Sequence, residues 1–453
     1  MWRATGGRLR GMLPAIVALL VIAAYAVLLP AGKWQGDDYL GAWFVASDGW
    51  HVLSDRLTGR SPRPIAETLT WLYFSLSNAL DRPLIGAFLA VLWAASLAIV
   101  AVAGRVGGVS RPVVLALLLF AVTLLLIKPG EMFYWPMGAV AYLPCWAGLA
   151  ATTVLLRVDV DRHRVALTFA LLIAVLSVEV GAITVLFYAA LLGVADLRDG
   201  RLHRVRSLML PAFCGAVVCL IVLRGRMLPA GEVWDAGSGL AGNWTASLRA
   251  ALPTFAREAA GIAGLPLLAG AAIKLLLLLC LPPDGGGGRS AGGAVLWAIA
   301  LLLGAFASIV LAYHQFGALC CERHATLRQG MVLMALFALA GLLGGGFLAV
   351  RQIGLVALLL VLLGVRAAPL SAEWRGLGDV FAARQRSWAS AAAPGDAMTL
   401  FLAPPAPITN ADSLPPGQYR RTTDQPFGDT PWYAWGVMAR FDKHILVIEP
   451  AGR

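Results

Sequence analysis

The chain has 453 residues, 59% of them hydrophobic and 13% charged, with a formal net charge of +11. A soluble domain carries about 25% charged residues, so a chain this apolar, with a mean hydropathy of +0.76, cannot clothe itself in polar surface and takes lipid as its solvent. That excludes a soluble enzyme. The basic excess does not mark a nucleic-acid binder either, because its Lys and Arg sit in short loops between apolar runs, where they hold a chain against an anionic cytoplasmic leaflet.

Apolar runs of roughly 17–25 residues, long enough to cross a bilayer, predict about eleven spans. They lie near residues 12–30, 83–104, 112–128, 137–156, 165–180, 181–196, 207–223, 255–281, 292–313, 328–349 and 353–369. Residues 165–195 also read as one long helix, which would invert everything after it. The first run follows Arg3, Arg8 and Arg10 and lacks a small-residue cleavage site, so it reads as a retained anchor with a cytoplasmic N-terminus. The expected fold class is therefore an all-α polytopic membrane protein. Residues 1–370 would form the transmembrane domain, with outer loops 31–82 and 128–137, and residues 371–453 a small α+β extracytoplasmic domain. In that tail Ser371–Ser390 reads as an amphipathic helix, Met398–Leu402 and His444–Glu449 as strands, and Pro404 to Pro431 mostly as loop.

The first outer loop opens with Gly32-Lys33-Trp34-Gln35-Gly36-Asp37-Asp38-Tyr39. Adjacent carboxylates lie about 100° apart on a helix, so Asp37 and Asp38 cannot do the same work. One is suited to act as a general base on a hydroxyl or to bind a divalent cation, Mg or Mn, with Asp38 the candidate ligand. The other is suited to cap the short amphipathic helix that Tyr39–Val45 suggests, and a purely structural cap is the competing reading. Farther along, Arg56, Arg60 and Arg63 would converge on phosphate oxygens if the loop folds over a cleft. Gly and Pro argue against a long helix there.

The second outer loop runs from Lys128 through Glu131, Tyr134 and Trp135 to Tyr142, with Pro129, Pro136 and Pro144 breaking regularity. Its rings suit stacking on a sugar or an interfacial aromatic belt. Glu179, at the junction of two apolar runs, is an ionisable group at membrane depth and a functional candidate by default. A last cluster holds His314, then Glu322, Arg323, His324 and Arg328, where Arg323 and Arg328 are the better placed for a phosphate. No cysteine spacing suggests a zinc site.

Taken together, Asp37-Asp38-Tyr39, Gly59-Arg60, Tyr134-Trp135-Pro136-Met137-Gly138, Val178-Glu179 and Glu322-Arg323 resemble the GT-C class of integral-membrane glycosyltransferases. The wording is most similar to bacterial members related to the O-antigen glucosyltransferases. The resemblance implies a hexosyl- or pentosyltransferase in the bacterial plasma membrane. Its donor would be a polyprenyl-phosphate-linked sugar, its acceptor a cell-envelope glycan or lipid, and Asp37 or Asp38 its base. Arg56, Arg60, Arg63, Arg323 and Arg328 would hold the donor phosphate. Tyr39, Glu131, Tyr134, Trp135, Glu179, His314 and His324 would face sugar or acceptor, and membrane lipids would surround the spans. Many members carry a larger soluble domain than this tail. A transporter or flippase of lipid-linked sugars is the rival class, needing the same arginines but no placed base.

Overall fold

The structure is a computed structural model. It describes residues 2–59, 61–156, 163–199, 206–227, 240–263, 291–319, 321–340, 348–404, 406–409, 414–422 and 430–450. In chain order the helices are Trp2–Ala26 (α1), Gly36–Asp48 (α2), His51–Thr58 (α3), Pro64–Ala79 (α4), Ile85–Val106 (α5), Pro112–Leu126 (α6), Gly130–Tyr134 (α7) and Pro136–Leu155 (α8). They continue as Arg164–Val175 (α9), Glu179–Asp199 (α10), Arg206–Met227 (α11), Trp244–Ala263 (α12), Ala291–Phe316 (α13), Glu322–Ala340 (α14) and Leu348–Ala392 (α15). A small sheet closes the chain, from Ala397–Phe401 (β1), Gly417–Arg420 (β2) and Ile445–Glu449 (β3), with Trp432–Arg440 (α16) between β2 and β3.

The chain is a polytopic all-α membrane protein with a small β-containing C-terminal region. Among the described residues six helices are long and apolar enough to cross a bilayer: Met12–Ala31, Ile85–Val106, Pro136–Leu155, Glu179–Arg198, Gly292–Phe316 and Ile353–Ala392. The expected number was eleven. Three of the remaining five fall on shorter apolar helices, Pro112–Leu126, Arg164–Val175 and Leu208–Leu223. The span expected at 255–281 begins instead in α12, whose exposed face mixes Trp244, Leu248 and Leu252 with Arg249 and Arg257, and residues 264–281 lie outside the described residues. The span at 328–349 corresponds to α14, which starts with charged residues, and 341–347 also lie outside.

The junction at 165–195 is two helices. α9 ends at Val175 and α10 begins at Glu179. Gly181 allows the reversal, because a Cβ there would run into the Ala174 carbonyl and the Cys145 sulfur. Gly148 likewise lets α8 approach the backbone of α9 at Ala170 and Ala174. The spans close around α8, which is almost wholly buried, and Trp297 of α13 donates its indole N–H to Thr153 Oγ1 at 2.8 Å. A buried polar group thus finds its partner where water cannot supply one.

Two expectations about irregular segments are corrected. Residues 31–82 are mostly helical, as α2, α3 and α4. Pro64 sits at the first position of α4, where its missing N–H costs nothing, so it starts the helix it was expected to exclude. The span at 353–369 and the amphipathic helix at 371–390 are one helix, α15, which carries Pro369 inside it, so the boundary placed at 370/371 falls within a continuous element. The composition change there marks a helix leaving its apolar surroundings.

The C-terminal half of α15 is tied to the segment after α1 and to the C-terminal region. Arg384 donates to the carbonyls of Pro30 and Gly32 at 3.0 and 2.6 Å. Glu373 accepts the backbone N–H groups of Ile408 and Thr409 at 2.7 and 2.9 Å. The sheet has the order β1-β3-β2, parallel between β1 and β3 and antiparallel between β2 and β3. Two of its strands match those expected to within a residue, and β2 lies in the stretch read mostly as loop. Helix α16 packs directly on α2. A Cβ on Gly36 would lie 2.5 Å from Tyr433 Cβ, and one on Gly436 would lie 3.0 Å from Leu40 Cβ. The C-terminal region therefore rests on the helix that carries Asp37 and Asp38.

Candidate functional site

Helix α2 begins with a capping box. The Gln35 side chain accepts the Asp38 backbone N–H, and Asp38 Oδ2 accepts the Gln35 N–H at 2.7 Å. Trp135 Nε1 donates to the same Oδ2. Asp38 is fully buried, and burial holds its carboxyl well above the usual carboxylate range, against the opposing pull of the Gln35 and Trp135 hydrogen bonds. Asp38 is therefore the cap.

Asp37, one residue earlier and rotated about 100° around the helix, is half-buried and has no hydrogen-bond or ion-pair partner among the described residues. Burial raises its pKa. The guanidiniums of Arg323 and Arg56 pull it back down, and Glu131 adds to the rise.

Two arginine–glutamate pairs, through Arg56 and through Arg323 with Glu131, act on this carboxylate, and a third, Arg63 with Glu179, lies by Tyr142 and His324. Arg56 of α3 donates Nε to Glu67 of α4 at 2.5 Å, and Ser61 donates to the other oxygen of Glu67. Arg63 joins Glu179, the first residue of α10, at 2.7 Å. Arg323, at the start of α14, gives Nη1 to Glu131 of α7 at 3.2 Å, and its backbone N–H reaches the same oxygen at 3.3 Å. A carboxylate at a helix N-terminus is favoured by the free N–H groups there. The Arg323 guanidinium also lies over the Trp135 ring, 4.5 Å from its centroid. The Tyr142 hydroxyl lies 3.1 Å from the His324 ring nitrogens. Burial, aided by Arg323, Arg328 and Arg63, keeps that imidazole's pKa well below its usual value, so it is neutral.

The fold thus brings together Asp37, Asp38, Arg56, Arg63, Glu131, Trp135, Glu179, Arg323 and His324, from five separate stretches of chain. Arg60 lies outside the described residues. Four nominated residues go elsewhere. Tyr134 is wholly buried and donates its hydroxyl to the Tyr25 carbonyl at 2.9 Å, so it is core. Tyr39 packs edge-on to Trp34 and against Phe441. His314 stacks on Trp244 with centroids 3.7 Å apart. Arg328 is buried in a two-pronged pair with Glu258, at 2.6 and 2.5 Å, and both its prongs are used.

The expected sugar-stacking rings of the second loop are corrected as well. Trp135 is buried beneath Arg323, and Tyr142 is buried against His324, so neither offers a free face. Glu67 is the residue that sequence reasoning missed. It is four residues after Arg63, the one carboxylate in an otherwise uncharged helix, and that isolation was its signal.

The arrangement has a chemical logic. Glu67 and Glu131, both buried, and the half-buried Glu179 each hold one guanidinium, whose five donors exceed what one carboxylate can take. Side-chain exposures of 39% for Arg56, 27% for Arg63 and 19% for Arg323, against 3% for Arg328, separate the arginines that can meet a ligand from the one that cannot. The donor set suits a divalent cation poorly. Asp38 Oδ2 already accepts two hydrogen bonds and Glu131 holds Arg323, and no group of three His, Cys, Asp or Glu among the described residues converges on one point. Compared with family models, with curated proteins and with solved structures, the chain matches none.

Proposed function

We infer that the protein is a glycosyltransferase of the bacterial plasma membrane. It moves a hexose or pentose from a polyprenyl-phosphate donor to an envelope glycan or lipid acceptor. The N-terminus is cytoplasmic and the site faces the outside. One observation carries the reading: Asp37, which has no hydrogen-bond or ion-pair partner among the described residues, feels the charges of Arg56 and Arg323 at the end of a helix outside the spans. A base and a phosphate-binding fork side by side are what transfer from a phosphate leaving group requires.

In this reading Asp37 takes the proton of the acceptor hydroxyl as its oxygen bonds to the anomeric carbon. The bond from that carbon to the phosphate oxygen breaks, and the polyprenyl phosphate leaves with the electron pair. Arg56, Arg63 and Arg323 meet the charge that grows on it. Glu67, Glu179 and Glu131 keep the three guanidiniums in place. Asp38 and Trp135 fix the helix end and the position of Arg323.

The test is transfer from a radiolabelled polyprenyl-phosphate hexose or pentose in proteoliposomes, wild type against Asp37→Asn. Transfer that the substitution abolishes, with donor binding retained, supports the reading. Absence of turnover across a donor panel, with labelled lipid crossing to the opposite leaflet, replaces it with a flippase.

A further inference from the structure

The second outer loop supplies no free aromatic face, and the structure offers a different set of rings beside Asp37. Trp432 and Tyr433 open α16 and stand over Gly36, the residue before Asp37. The site where a Gly36 Cβ would lie is 2.9 Å from a Trp432 ring carbon and 3.0 Å from the Tyr433 backbone. Tyr419 of β2 joins them, with its ring 5.8 Å from that of Tyr433 and nearly perpendicular, and the two hydroxyls 3.4 Å apart. Trp432 and Tyr433 are also 5.8 Å apart and edge-on. All three rings are half-buried, unlike Tyr134, Trp135 and Tyr142.

The framework beneath them is rigid. Tyr419 is fixed by its hydrogen bond to the Pro415 carbonyl at 3.0 Å and by the pairing of β2 with β3, and Gly36 and Gly436 lock α16 onto α2. Edge-on rings that keep part of their surface open, with the Tyr433 hydroxyl among them, offer apolar stacking surface and a hydrogen-bonding group of the kind a pyranose takes. Such a sugar has one apolar face of C–H bonds and a rim of hydroxyls.

We propose that Tyr419, Trp432 and Tyr433 form the carbohydrate subsite that holds the acceptor glycan next to Asp37. The bound ligand's role as acceptor rests on the transferase reading, while carbohydrate binding itself does not. The C-terminal region would then do more than pack, since it places the rings at the start of the helix that carries Asp37.

The experiment is saturation-transfer NMR on the full chain in nanodiscs. Its probes are the methyl α- and β-pyranosides of glucose, galactose, mannose and N-acetylglucosamine. At least one probe is expected to take up saturation on its ring C–H protons. Trp432→Leu should weaken its binding roughly two- to tenfold, the size of an aromatic contact. Tyr433→Phe, which keeps the ring and the packing on Gly36, should weaken it less. Equal binding by Trp432→Leu and wild type overturns the proposal, and so does the absence of saturation in every probe. Binding that depends on Trp432 in a protein that turns over no donor would keep the subsite and sink the transferase reading. In a working transfer assay Trp432→Leu raises KM for the acceptor more than it lowers kcat.

Discussion

Two polar clusters meet on α14 little more than a turn apart, and they differ in what they leave unspent. Around Arg328 every strong group has a partner. Its guanidinium meets both oxygens of Glu258, and only 3% of the side chain is exposed. Around Arg323 the guanidiniums are more exposed, and Asp37 stands by them with no hydrogen-bond or ion-pair partner among the described residues. Residue type does not separate the two clusters, since both are arginines held by glutamates between helices. What separates them is a carboxylate that burial raises in pKa, that feels Arg323 and Arg56, and that has no hydrogen-bond or ion-pair partner among the described residues. A closed pair fastens α14 to α12, whereas an open cluster can do chemistry.

The sharpest way to break this contrast is at Asp37. Asp37→Asn should lower transfer by about 10²–10⁴-fold, the usual worth of a general base, with expression and thermal stability close to wild type. Steady-state transfer and a thermal melt on the same preparation check it.

The closed pair should behave in the opposite way. Arg328→Met leaves Glu258 without its partner in a buried site and should cost about 3–5 kcal/mol of stability. The double substitution Arg328→Met with Glu258→Leu should recover most of that loss. A melt that does not change in the single variant would show that Arg328 is not closed in the sense drawn here.

The two clusters should also differ in how they shape the pH profile. In the proposed mechanism the base must be ionised to act, so transfer should fall as pH drops through the pKa of Asp37. Burial raises that pKa, which places the acid limb above the ordinary carboxylate range. Arg323 and Arg56 oppose the rise, so Arg323→Gln should move the acid limb to still higher pH. Arg328→Gln should leave the limb where it is. A limb that follows Arg328 and ignores Arg323 would reverse the roles of the two clusters.

Much of this was readable in the residues, and the unread parts have physical reasons. Spans are legible because lipid allows one solution, a long apolar helix. Even so, α6 and α9 are shorter than a full crossing, and hydropathy runs on past their ends. The first outer loop was misread because Gly59, Pro62 and Pro64 look like breakers, while Pro64 occupies the one helical position that tolerates proline. The polar cluster was legible in outline, since charged residues at the ends of apolar runs must face the same way when spans alternate. Pairing was not. Nothing local tells Tyr134, which turns into the core, from Trp135, its neighbour at a helix break, or says that Arg328 meets a glutamate 70 residues earlier. Those outcomes depend on which helices cross, and crossing is settled by close approaches such as Gly148 on α9 and Gly36 on α16.

The smallest effect is expected at Asp38, and it tests the split between the adjacent carboxylates most directly. Its buried Oδ2 accepts the N–H groups of Gln35 and Trp135, and burial favours its neutral form. Asparagine offers a carbonyl oxygen in the same place and carries no charge. Asp38→Asn should therefore change stability by less than about 1 kcal/mol and keep most of the transfer. Asp38→Ala strands both donors and removes the reciprocal cap, at a cost of about 1–3 kcal/mol. The pH dependence follows from the raised pKa. Protonated Asp38 stabilises the fold at low pH, and that contribution is lost as pH rises through its folded-state pKa, above the ordinary carboxylate range. Asp38→Asn should flatten this part of the stability profile, whereas Asp37→Asn should flatten the acid limb of the rate. If instead Asp38→Asn silences transfer and Asp37→Asn does not, then the base is the buried carboxylate and Asp37 belongs to the loop surface.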